Sequence, residues 1–253
     1  MSQDETLHQK GMTATSEELY ANLERAAPSY ADGALSNPAI DENHVTMLLK
    51  NPRLTCSLIE RICNNTRWTK VYRIKVGIVN HPHTPRHHGL NLIKFLFWKD
   101  LLSVADNYRL SPPLRRIAEE LIKARLDEMA LGEKISLARA ATRPLIAKLR
   151  ESREPRIIEA LLKNWRTVEE DVVTIANDEN VSPEILSIIA RDQKWGLQYP
   201  VRMAILMNDR TPVHDSLRSL NGLLRKDLEH LRDNKKLRTI LKIAATRRLE
   251  NLR

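Results

Sequence analysis

The stretch WTKVYRIKVGIVNHPHTPRHHGLNLIKFLFWKDLLSVADNYRLSPPL, residues 68–114, is written a second time as WGLQYPVRMAILMNDRTPVHDSLRSLNGLLRKDLEHLRDNKKLRTIL, residues 195–241. One offset of 127 residues relates the two. Trp68 answers Trp195, Tyr72 answers Tyr199 and Ile78 answers Ile205. Thr84-Pro85 answers Thr211-Pro212, Lys99-Asp100-Leu101 answers Lys226-Asp227-Leu228, and Asp106-Asn107 answers Asp233-Asn234. Leu90/Leu217, Leu96/Leu223 and Leu110/Leu237 keep the apolar frame, with slippage expected only near Asn80/Asn208. A long internal duplication signals repeat architecture. It defines the scaffold and says little about the task.

Outward from this stretch, the sequence spells short helices. Thr55 precedes Leu58, Ile59 and Ile62; Ser182-Pro183 precedes Ile185, Leu186 and Ile189. Thr84-Pro85, Thr211-Pro212 and Ser111-Pro112 repeat the device. A Ser or Thr N-cap accepts an otherwise unpaired backbone N–H, and Pro in the first turn loses no hydrogen bond. Leu114, Ile117, Ala118, Leu121 and Ile122 form one apolar stripe at helical spacing; Leu237, Ile240, Leu241, Ala244 and Ala245 form its counterpart. No alternating strand pattern is present. With 7 Gly and abundant Leu, Ile, Ala, Lys, Arg and Glu, the expectation is all-α: an α-solenoid of stacked short helices, duplicated at the 127-residue offset.

The expected organisation has four parts. Residues 1–33 read as an acidic leader, mobile or loosely docked, with one short helix from Ser16 to Arg25 capped by Ser16. Residues 34–124 are the first helical-repeat copy. Residues 125–160 form a helical bridge, with one helix over Ile135, Leu137, Ala138 and Ala141 stopped near Arg143-Pro144, and another over Ile157, Ile158, Leu161 and Leu162. Residues 161–253 are the second copy, ending in a basic helix. No Gly/Ser linker separates the copies, so stacking into one body is expected.

Charge and cysteine usage narrow the function classes. The formal charge is +9, yet residues 1–33 hold 2 basic against 6 acidic groups. Residues 34–124 and 218–253 each carry a net +7. Such asymmetry bears on partners rather than on fold. Cys56 and Cys63, about 10 Å apart on one helix, are too distant to bridge and read as buried, reduced thiols. The acidic Met1-Ser-Gln-Asp-Glu start lacks the order of a secretory signal, and no apolar run approaches the ~20 residues that span a bilayer. A reduced cytoplasmic setting and no membrane insertion are therefore expected.

The spaced capped starts, as in Asn80-His-Pro-His-Thr-Pro85 and Asn208-Asp-Arg-Thr-Pro212, resemble HEAT-like helical repeats, in particular the leucine-rich-variant type of bacterial proteins. The resemblance covers about residues 34–250. It implies a curved superhelix used for binding and no catalytic residues. The cysteine-rich leader of the variant family is missing, so no iron–sulfur cluster is implied.

Candidate contact residues follow from recurrence and from its breaks. Arg67/Lys194, Lys75/Arg202, Lys99/Lys226, Arg109/Lys236 and Arg115/Lys242 repeat at the same offset, which in a superhelix places each pair on equivalent ridges. They suit phosphates or an acidic protein. Asp100/Asp227 and Asp106/Asp233 recur too, as candidate salt-bridge partners of these cations. Trp68/Trp195 and Tyr72/Tyr199 read as core aromatics rather than a base-stacking platform. Trp98 and Trp165 do not recur and are the better candidates for a specific contact. His81, His83, His87 and His88 fall within eight residues, and His83 and His87 are the weak metal-ligand candidates; metal binding is not the expected role.

No Gly-rich phosphate loop, nucleophile elbow or paired-His zinc helix is present, so the expectation leans away from an enzyme and names no cofactor. The preferred reading is a non-catalytic scaffold binding a protein partner through its superhelical surface. The alternative is a nucleic-acid-binding protein with a basic groove, by fold-level analogy a helical-repeat DNA-repair enzyme. Partner identity and oligomeric state are not written in the sequence.

Overall fold

The computed structural model describes residues 3–235 and 237–251 and is all-helical among them. Two compact units divide the chain, Met1–Arg125 and Leu126–Arg253. The first contains α1 Gln3–Thr13, α2 Ser16–Asn22, α3 Pro28–Leu35, α4 Glu42–Leu48, α5 Cys56–Asn64, α6 Thr66–Thr69, α7 Tyr72–Asn80, α8 Arg86–Leu92, α9 Trp98–Asp106 and α10 Pro112–Arg125. The second contains α11 Leu131–Ala140, α12 Arg143–Leu149, α13 Pro155–Leu162, α14 Glu169–Asn177, α15 Pro183–Arg191, α16 Tyr199–Met207, α17 Val213–Ser219, α18 Arg225–Asp233 and α19 Thr239–Asn251. The limits of α2, α3, α5, α7, α8 and α9 recur in α12, α13, α15, α16, α17 and α18 at the 127-residue offset. Among the described residues, α6 and the two 3-10 turns at Leu23–Arg25 and Ile93–Phe95 have no helical counterpart.

Within each unit, helices pack mostly on the next but one: α1 on α3, α3 on α5 and α7 on α9, then α11 on α13, α13 on α15, α14 on α16 and α15 on α17, while α4 packs on α7 across the short α6. The apolar stripes explain this order. Leu58, Ile59, Ile62 and Cys63 are the buried face of α5; Ile185, Leu186, Ile189 and Ala190 are that of α15. Each stripe buries only when the neighbouring layer covers it.

The stretch expected as a loosely docked leader is instead part of the first unit's core. Leu19, Leu23, Ala31 and Ala34 are fully buried there. The reason is a close backbone approach that hydropathy does not register. A Cβ on Gly11 would meet the Tyr30 carbonyl oxygen at 2.3 Å, and one on Gly33 would meet that of His8 at 2.0 Å. Helices α1 and α3 thus touch through glycine, so α1 needs no strong apolar stripe. Asp4 and Asp32 join in, accepting from Ser29 (2.6 Å) and pairing with His8 (3.2 Å). The cap of α2 is Thr15, not Ser16. The Thr15 hydroxyl accepts from the Glu18 N–H while the Glu18 carboxylate accepts from the Thr15 N–H, a reciprocal box that a Ser16 cap cannot close. Likewise the expected bridge over 125–160 comprises α11–α13 of the second unit, and Arg143-Pro144 opens α12 as well as following α11.

Amides of buried Asn37, Asn51 and Asn164 and of half-buried Asn208 tie successive layers together. The Asn37 side-chain amide donates to the carbonyls of Gly11 and Ala14, and Asn51 donates to Leu23 and Ala26. Asn164 donates to Ala138 and Ala141, and Asn208 to Ala176 and Asp178. Each side-chain oxygen accepts the N–H two residues on. One asparagine therefore satisfies carbonyls left open at a helix end and closes its own turn; a buried group left without such a partner costs about 1–3 kcal/mol.

The capping devices sort into two kinds. Thr55 and Ser182 cap α5 and α15, accepting from Leu58 and Ile185. Thr84 and Thr211 do not cap. Their hydroxyls donate to the carbonyls of Ile78 (2.5 Å) and Ile205 (2.6 Å), closing the preceding turn, and Pro85 and Pro212 stand at the N-cap positions. The cysteines also differ from expectation, since Cys63 is buried but Cys56, in the first turn of α5, is exposed. Burial first, then the Glu60 charge and the neighbouring Cys56, pushes the Cys63 thiol up to about 11. A chromogenic disulfide reagent should therefore titrate one thiol in the native chain and the second only on unfolding, with Cys56→Ser removing the fast phase. Equal native rates at both thiols would contradict this burial.

Candidate partner-binding surface

The site is built around residues 94–97, between α8 and α9. A 3-10 turn over Ile93–Phe95 buries Ile93, and Leu96 is buried beside it. The backbone between is held from two sides. The Arg125 guanidinium donates to the carbonyls of Lys94 (2.7 Å) and Leu96 (2.6 Å). The Phe97 N–H donates to the Tyr72 hydroxyl at 2.9 Å, and that hydroxyl donates to Asp100 at 2.5 Å. With Ile93 and Leu96 turned inward, Phe95 and Phe97 are left outward, 63% and 67% exposed. The Tyr72 and Phe97 rings lie 4.7 Å apart, and the Lys75 ammonium sits 5.2 Å from the Phe95 ring centroid. Burial first and then the bond to Asp100 push the Tyr72 phenol above its ordinary range, which keeps it a proton donor.

The second unit keeps this frame and changes what it presents. Tyr199 donates to Asp227 and accepts from the Leu224 N–H, as Tyr72 does with Asp100 and Phe97. The residue in the Phe95 place is Gly222, at φ 80°, a left-handed conformation that disfavours side chains. Arg202, in the Lys75 place, donates to the carbonyls of Gly196 and Asn221. Asp100 and Asp227, expected as salt-bridge partners of the recurring cations, serve tyrosines instead. The aspartates lie 28 residues after those tyrosines, on the next layer, so adjacent Lys99 and Lys226 do not claim them.

The other candidate residues fall as follows. Arg67 and Lys194 lie over the buried rings of Trp68 and Trp195, at 4.4 and 3.8 Å from the centroids. Lys99 lies 5.6 Å from the half-buried Trp98 ring, and Arg115 lies 4.9 Å from that of exposed Tyr108. Lys242 donates to the Lys235 carbonyl. Arg109 and Lys226 are exposed, and Lys236 lies outside the described residues. Trp165 is 76% exposed with the Arg166 guanidinium 4.2 Å above it.

The four histidines separate. His81 is buried, bonding the Asn51 carbonyl through Nε2 while Nδ1 accepts the His83 N–H. That is the work Asn208 does 127 residues on, so His81/Asn208 is the true equivalence and the offset needs no slippage at Asn80. His83 bonds the Leu54 carbonyl at 2.7 Å and does not meet His87. His87 lies against His88, ring centroids 4.0 Å apart.

Sequence reasoning missed Phe95 and Phe97. The available signal was Phe97 and Phe95 facing Leu224 and Gly222 in the aligned copies, the same break in recurrence that singled out Trp98 and Trp165. Among the described residues no helix is long and apolar enough to cross a membrane. Searched against family models, curated proteins and solved structures, the chain matches none.

Proposed function

We propose that this chain is a non-catalytic helical-repeat scaffold, an α-solenoid arising by internal duplication, that binds a protein partner in the cytoplasm with Phe95 and Phe97 as anchors. The observation that carries this reading is the pinned 94–97 backbone. Two large aromatics are held in water by a guanidinium and a phenol that fix the backbone beneath them. Exposing them costs the free chain hydrophobic stabilisation, which a partner would restore, and a loop already ordered loses little entropy on binding. Aromatic anchors rimmed by cations are typical of interface hot spots.

Replacing both phenylalanines by serine should destabilise only modestly, by about 0.5–1.5 kcal/mol, the worth of the Tyr72–Phe97 ring contact at an otherwise exposed place. The same variant should lose partner affinity by about thirtyfold or more, since an interface hot spot contributes roughly 2 kcal/mol or above. Calorimetric titration against the partner, identified by cross-linking in the intact cell and purified, reads this; equal affinity for wild type and variant would refute the anchor role.

A second reading, nucleic-acid binding, is supported by the interleaving of cations with aromatics: Lys75 with Phe95, Lys99 with Trp98, Arg115 with Tyr108 and Arg166 with Trp165. It predicts salt-steep mobility shifts with DNA or RNA, each duplex phosphate contact contributing roughly −0.9 to the log–log slope. Charge reversal of Lys99 and Lys226 should flatten that slope. Tight, salt-steep binding would displace the protein-scaffold reading.

A further inference from the structure

Side chains 28 residues apart meet repeatedly in this fold. Ser16 bonds His44, Tyr72 bonds Asp100, Arg143 bonds Asp171, Ser187 bonds Asp215 and Tyr199 bonds Asp227. Glu60 on α5 and His88 on α8 have the same spacing and lie in one cluster with His87. There the pattern breaks. One potential ligand atom from each of Glu60, His87 and His88 lies within 4.8 Å of the others, yet the His88 Nε2, shielded from solvent, has no hydrogen-bond partner.

The aligned place in the second unit shows what such a cluster accommodates. Ser187, His214 and Asp215 stand at the positions of Glu60, His87 and His88, and Arg191 stands at that of Asn64. The Arg191 guanidinium donates to Asp215 at 3.1 Å and contacts the His214 imidazole. A permanent cation therefore contacts both imidazole and carboxylate in one unit, where these two also pair directly at 3.0 Å. The first unit keeps imidazole and carboxylate chemistry and replaces the arginine by a neutral amide.

We propose that Glu60, His87 and His88 form a binding site for a borderline divalent transition metal ion, with Zn2+ as its type, joining α5 to α8. Two imidazoles and one carboxylate suit Zn2+, Co2+ or Ni2+ better than the all-oxygen preference of Mg2+ and Ca2+. Zinc bonds of about 2.0–2.2 Å require the three atoms to close slightly from their present spacing. Glu60 and His87 are exposed and can adjust by side-chain rotation. Three protein ligands leave coordination positions for water or for a donor from a partner. His83 is outside the cluster of ligand atoms formed by Glu60, His87 and His88, its ring turned to the Leu54 carbonyl.

The test is titration of the metal-stripped full chain with Co2+, read by visible d–d absorption, and with Zn2+, read by competition against a chromophoric chelator. The expected result is one tight equivalent per chain and a rise in the unfolding midpoint with Zn2+. Glu60→Gln and His88→Ala should each weaken binding at least tenfold; the exposed Glu60 variant keeps the test decisive should His88→Ala fail to fold. Asn64→Arg should abolish binding while leaving every ligand in place, by supplying the cation that the second unit carries. His83→Ala and His214→Ala should bind as wild type does. Absence of a one-equivalent site, or binding unchanged in Glu60→Gln and Asn64→Arg, overturns the proposal.

Discussion

Replacing Trp195 by alanine is expected to destabilise the second unit by about 3–5 kcal/mol, the usual cost of deleting a large buried aromatic. Its side chain is 3% exposed, and the indole N–H donates to the Leu162 carbonyl at 2.9 Å. The substitution leaves a cavity and an unpaired acceptor at the end of α13. Trp195→Phe separates these costs: it keeps most of the volume but loses the hydrogen bond, and should destabilise by about 1–3 kcal/mol. Trp68→Ala should act similarly on the first unit, where the ring is also buried. Urea unfolding followed by far-ultraviolet circular dichroism reads all three. Unchanged midpoints accompanied by lost partner binding would move these tryptophans from the core to the contact surface.

The second large effect concerns Asp171, whose side chain is 1% exposed. It receives Arg143, Arg150 at 3.4 Å and the Val168 N–H at 3.0 Å. Both guanidiniums are partly exposed, so removing the carboxylate lets them turn to water, whereas removing Arg143 strands a buried charge. Arg143→Met should therefore cost more than Asp171→Asn, about 3 kcal/mol or above at pH 7. The pH dependence carries a sign. Burial alone would raise the Asp171 pKa, but the Arg143 and Val168 hydrogen bonds and the charges of Arg143 and Arg150 outweigh it and lower the pKa. The folded state thus binds fewer protons than the unfolded one, and the stabilisation is full above the unfolded value near 3.9 and lost as pH falls through the lower folded value. In Arg143→Met only Arg150 and the Val168 N–H still oppose burial, so the folded pKa should rise above that of wild type and the gap between the two proteins should narrow as pH falls through it. A gap independent of pH would show that Arg143 acts through packing alone.

Much of the scaffold was legible because it is local. Helix content, the caps at Thr55 and Ser182, the stripes of α5 and α15 and the burial of Trp68 and Trp195 follow from spacing within a few residues and from recurrence at 127. Capping and amphipathicity act over one or two turns, where sequence distance and spatial distance agree. The candidate surface was less legible. Recurrence singled out Trp98, which is half-buried, and Trp165, which is exposed, but missed Phe95 and Phe97, because their exposure depends on Arg125, about thirty residues on, and on Tyr72, about twenty-five back.

The sequence by itself determined the all-helical class, the starts of several helices, the apolar faces and the 127-residue recurrence, all of them properties of backbone preference and side-chain periodicity. Only the tertiary structure decided that residues 3–35 join the core through the Gly11 and Gly33 backbones, that Asp100 and Asp227 receive tyrosines rather than lysines, and that His87 meets Glu60 and His88 while His83 turns to Leu54. Each depends on which atoms two layers of helix bring within hydrogen-bond reach across about 28 residues of chain. That distance is set by how closely the backbones approach, a quantity no local pattern encodes.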